Sequence, residues 1–134
     1  MLIGTLPVGI LYFAAVKFVG YTAAAGLLKR RIPDSFAPAW LVGGVRTLIG
    51  LAAGNWVRHL GSIDGPAWLT DCWYALLAPV RFGVWLLVLR LFFWRDWNSA
   101  RSLKVAALGT VWSYILDAPA FIALATLPGG GVGC

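Results

Sequence analysis

Four ionisable residues stand well inside apolar surroundings: Lys17, Arg46, Arg81 and Asp117. The carboxylate sits in the stretch WSYILDAPAFIA (112–123), two residues before Pro119. Three cations and one anion in apolar company point to an ion-paired interior with positive charge in excess. Such a set suits an oxyanion, a phosphate or a carboxylate, held by charge-assisted hydrogen bonds. It does not suit catalysis. The chain has one histidine, His59, and no glutamate. No Ser/His/Asp set and no closely spaced pair of aspartates is present, and Asp71 and Asp117 sit at different depths. Catalytic residues are therefore expected to be none. The two cysteines, Cys72 and Cys134, form no CxxC and are too few for a metal site. With a single histidine, haem held by this chain alone is not expected, and no other cofactor is.

The spacing around each charge marks a helix face. In the second apolar run Gly43, Arg46, Gly50 and Gly54 recur at three and four residues, and Gly50 and Gly54 form a GxxxG pair that lets helix backbones approach. In the fourth, Thr110, Ser113, Asp117 and Ala120 share a face; in the third, Asp71, Tyr74, Ala78, Arg81 and Trp85 do. In the first, Ala14, Lys17, Gly20 and Ala24 do, less cleanly. Small and polar residues mark packed faces in a membrane, so the charges are predicted to point at other helices. Pro79 precedes Arg81 by two residues and Pro119 follows Asp117 by two. Each removes a helical hydrogen bond and frees a carbonyl, near residues 75 and 115, so both are expected to mark helix breaks beside the site. Asp117 is expected within salt-bridge reach of at least one cation, Arg81 first and Lys17 second. Two plainer readings stay open: Asp117 paired as structural glue, and Arg46 snorkelling to headgroups. Arg90, on the face opposite Arg81, is expected to snorkel. Trp85 and Trp112 are read as packing.

The elements that carry these faces follow from composition. The 134 residues make one domain, 60% hydrophobic and 12% charged, with mean hydropathy +0.81. Soluble domains carry roughly 25% charged residues, so this composition belongs in lipid. The predicted fold is all-α, an integral membrane four-helix transmembrane bundle with short loops. Its helices are predicted at about 2–28, 38–57, 67–94 and 105–127, each near the roughly 20 residues that span a bilayer. By helical rise from the ends they share, the charges lie ~12 to ~20 Å deep, in a central band. Run 2–28 contains Lys17 and lacks a basic leader, so it is read as a retained helix rather than a signal peptide.

Lys and Arg number six in loops one and three and one in loop two. The positive-inside rule then puts loops one and three in the cytoplasm and both termini outside, in what is read as a bacterial inner membrane. Six of eight tryptophans lie near run ends, as an aromatic belt would. The net charge of +6 and pI near 9.9 reflect basic residues at the ends of apolar runs, so nucleic acid is not an expected partner. The glycine tail could bring Cys134 to Cys72, but a free Cys72 is the default expectation.

The stretch LVGGVRTLIGLAAG (41–54) resembles the helix opening of GtrA-type small four-helix membrane proteins, a family associated with moving polyprenyl-phosphate-linked sugars. In that family the motif opens the first helix. Here it lies in the second run, with Arg46 at a usually uncharged place.

Two functions are expected from these features. One is binding or helping to translocate an anionic amphiphile, such as a lipid or a polyprenyl phosphate, through Lys17, Arg46, Arg81 and Asp117. The other is a non-catalytic accessory subunit of a larger membrane complex, whose partner supplies negative charge. Either reading expects membrane lipids as neighbours, and a homo-oligomer or other membrane subunits as partners.

Overall fold

The computed structural model describes residues 8–31, 37–61, 67–93 and 99–126. They form four α-helices and, among the described residues, no strand: α1 Val8–Arg31, α2 Ala39–Gly61, α3 Ala67–Phe92 and α4 Ser99–Thr126. α1 packs on α2, α2 on α3, α3 on α4, and α4 returns to α1, so the helices close into a ring. Neighbours run antiparallel. In α1 and α2, Lys29 meets Ala37 while Thr22 meets Gly43. In α3 and α4, Arg81 meets Asp117 while Trp85 meets Gly109.

Three helix ends differ from those predicted by hydropathy. α1 runs on through Lys29, Arg30 and Arg31, whose charges suit the negative end of the helix dipole. α2 continues past the predicted end at residue 57 to Gly61. α4 starts at Ser99 rather than near 105, and its first turns expose Arg101 and Lys104. Polar character ended the apolar pattern there before it ended the helix. The hydroxyls of Thr47, Thr110 and Ser113 donate to the carbonyls of Gly43, Ala106 and Gly109, each four residues back, and so stay satisfied inside the helices.

The prolines do not break their helices. α3 runs through Pro79 and α4 through Pro119 without interruption. Both prolines are exposed, as are Ala75 and Ile115 four residues before them. The hydrogen bonds they remove therefore lie on the outer wall and do not frame the interior charges.

Close approach depends on glycines other than the expected pair. A Cβ at Gly43 would lie 2.7 Å from the backbone nitrogen of Thr22 and 2.8 Å from its Cα, so α1 and α2 meet backbone to backbone there. Gly109 gives Trp85 its place against α4, and Gly20 gives Leu116 its place against α1. Gly54 has open space around it, and Gly50 faces the Arg46 guanidinium of its own helix. The Gly50/Gly54 pair is not a helix–helix contact among the described residues.

An apolar core fills one end of the ring, where α1 and α3 finish and α2 and α4 begin. It comprises Ala25, Ala37, Val42, Val88, Leu89, Phe93 and Ala106 among others. The outward faces are apolar too: Val19, Leu27, Leu48, Leu87, Leu91, Leu108 and Ile115 are exposed. Composition predicts four spanning helices; among the described residues one segment, Leu11–Arg31, is both long and apolar enough to cross a membrane, with mean hydropathy 1.5.

Candidate functional site

Each helix contributes one of the four charges to a common interior. Asp117, 2% exposed, is bridged by two of them. Its Oδ1 accepts from Lys17 Nζ, and its Oδ2 accepts from Arg81 Nη2 at 2.6 Å. Lys17 Nζ also reaches the Ser113 carbonyl at 3.2 Å. The expected pair with Arg81 is therefore present, and Lys17 joins it from the other side.

Ser113 forms a second layer one helical turn away. Its Oγ accepts from Arg46 Nη2 at 3.3 Å and from Trp85 Nε1 at 3.0 Å, and donates to the Gly109 carbonyl at 2.8 Å. That uses its one donor and both lone pairs. The Arg46 to Ser113 bond joins α2 to α4 across the ring, between helices that do not pack directly. Tyr21 and Trp85 cross the other diagonal edge to face, with centroids 5.9 Å apart.

The cations lie over aromatic rings. Arg46 is 4.6 Å from the Tyr21 centroid and 5.3 Å from that of Trp85; Arg81 is 4.2 Å from Tyr114; Lys17 is 5.3 Å from Phe13. Such placement favours a desolvated cation by about 0.5–2 kcal/mol each. Arg46 is 2% exposed and does not snorkel. Arg90 is exposed near the end of α3.

The sequence reading brought Lys17, Arg46, Arg81 and Asp117 to one level, and the structure places them together. It missed Ser113 as the junction and gave Trp85 only a packing role. Trp112 likewise has a polar partner, since its Nε1 donates to the Gly20 carbonyl at 3.0 Å across the α1–α4 seam. Tryptophan at i+4 from an interior arginine was the available signal for Trp85. The side chains of Asp71, Cys72 and Tyr74, together with Cys134 and the loops, lie outside the described residues.

Chemically, the cluster is a cationic interior. Asp117 is the one acid among the described side chains, against three buried or nearly buried cations. Among the described residues no group of His, Cys, Asp and Glu could hold a metal ion. Comparison with protein-family models, curated proteins and solved structures finds no match to this chain. The resemblance of residues 41–54 to GtrA-type proteins thus has no family match behind it.

Proposed function

We propose that the chain is an integral membrane protein whose four helices all span the bilayer, and that its cationic interior binds, or helps to translocate, an anionic amphiphile. One observation carries this reading: charged and polar side chains are buried beside the apolar core, while large apolar side chains face outward. Lys17, Arg46, Ser113 and Asp117 are buried, while Leu48 and Leu108 are each 69% exposed. Water would oppose both halves of that arrangement, and hydrocarbon favours both. The four helices have 24, 23, 26 and 28 residues, each the length of a bilayer span of roughly 20, and Leu11–Arg31 is also apolar enough to be one. Exposed Trp40 and Trp56 lie about 24 Å apart along α2, a spacing suited to two interfaces. Arg30, Arg31, Arg90, Arg101 and Lys104 form an exposed basic collar at one end. In this reading that end is cytoplasmic, in a bacterial inner membrane, and the termini lie outside.

The excess of buried cations over carboxylates supports an anionic ligand, because an uncompensated buried charge costs several kcal/mol. Lys17, Arg46 and Arg81 supply the positive charge, and Asp117 orients them. The test is mass spectrometry of the gently extracted protein. A co-purifying anionic lipid is the expected result. A stoichiometric protein partner in its place would favour the accessory-subunit reading. Zwitterionic lipid alone would count against both.

A further inference from the structure

The three cations are not alike. Lys17 and Arg81 each hold one oxygen of Asp117. Arg46 holds none. Its Nη2 donates to the neutral Ser113 hydroxyl, its plane lies near two aromatic rings, and its Nε has no hydrogen-bond partner. A guanidinium offers five N–H donors and cannot shed its charge inside a protein. At 2% exposure, Arg46 is therefore a buried cation with donors to spare.

The wall beside Arg46 is thin. Its Nη1 lies against Gly50, where an added Cβ would come within 2.6 Å. Gly50 is only half-buried, so residue 50 puts no side chain between the guanidinium and the outer surface of α2.

From this geometry we infer that Arg46 takes the charge of the ligand, that the Lys17–Asp117–Arg81 bridge is an internal clamp, and that the ligand head is an oxyanion that meets the guanidinium beside Gly50. The inference rests on the proposed binding of an anionic amphiphile. Three cations against one carboxylate leave two positive charges, one on the bridge and one on Arg46, and Arg46 is the cation that does not touch the carboxylate. Phosphate and carboxylate both offer paired oxygens that match the guanidinium fork, and a phosphodiester is the form that most anionic membrane lipids carry.

The experiment is calorimetric titration of the full chain, purified in a neutral detergent and stripped of lipid. The probes are short-chain phosphatidylglycerol, short-chain phosphatidylcholine and inorganic phosphate. Phosphatidylglycerol is expected to bind, and the other two to bind far more weakly. Arg46→Gln is expected to weaken phosphatidylglycerol at least about tenfold, as loss of a hydrogen bond to a charged group does. Gly50→Ala keeps every charge but sets a methyl against Nη1, and it too should weaken binding. Gly83→Ala, at an exposed site with nothing within 4 Å, should not. Should Arg46→Gln not fold, Gly50→Ala decides alone. Arg81→Gln or Lys17→Gln weakening binding as much as Arg46→Gln would overturn the assignment to Arg46 and leave the wider reading standing. So would wild-type binding in Gly50→Ala. Equal affinity for inorganic phosphate would replace the amphiphile by a free anion. No binding of any probe by the wild type would remove the wider reading and this inference together.

Discussion

Asp117 holds Lys17 with one carboxylate oxygen and Arg81 with the other. Its loss would leave two buried cations facing each other, whereas loss of either cation leaves the carboxylate one partner. Breaking a buried pair costs about 3–5 kcal/mol. Asp117→Asn is therefore expected to lose that much, and Lys17→Gln and Arg81→Gln less each. Denaturant unfolding in detergent micelles gives the order; a smaller loss for Asp117→Asn than for either cation would contradict the bridge. At this scale much was legible in the sequence. A charge in an apolar helix must face its neighbours, so Lys17, Arg46, Arg81 and Asp117 declared a shared interior. Similar depth and adjacent helix order put Arg81 first and Lys17 second as partners of the carboxylate, and both hold it; that they hold it together was not legible, because lateral distance across a ring of helices leaves no trace in spacing. Ser113 hid for the same reason, since a serine one turn from an aspartate reads only as a polar face.

Helices show a different balance. Four apolar runs gave four helices, because backbone hydrogen bonds and burial favour the same answer. Their ends were less legible where exposed basic residues extend a helix beyond its apolar stretch, as at Arg31 and Ser99. The glycines were misread. GxxxG at Gly50 and Gly54 looked like a crossing point, yet the backbone contact falls at Gly43 against Thr22. Spacing identifies glycines on a face but not where the neighbouring helix crosses it. Gly43→Ala is expected to destabilise the protein by about 1–3 kcal/mol, since backbone cannot move aside as a side chain can. Gly54→Ala should be neutral or slightly stabilising through helix propensity. Thermal unfolding of the two variants side by side settles the contrast, and equal losses would restore the GxxxG pair as a contact.

For the whole molecule, charge asymmetry and helix order make one statement about orientation. The basic collar gathers where α1 and α3 end and α2 and α4 begin. Single cysteines in loop one are expected to resist a membrane-impermeant maleimide added to intact cells, while cysteines in loop two react. Labelling of loop one from outside would invert the orientation. The apolar end of the ring bears on traffic. Between the Ser113 layer and the collar lie Ala25, Val42, Val88, Leu89 and Ala106, all buried, and the helices around them are pinned at Gly43 and Gly109. A headgroup seated at the charges would thus stand on a hydrophobic floor. To go further it would need two pinned helix pairs to part, or it would have to leave by the door it entered. On the proposed reading this conformation would be a berth rather than a passage, and long residence of a bound lipid is the property to measure.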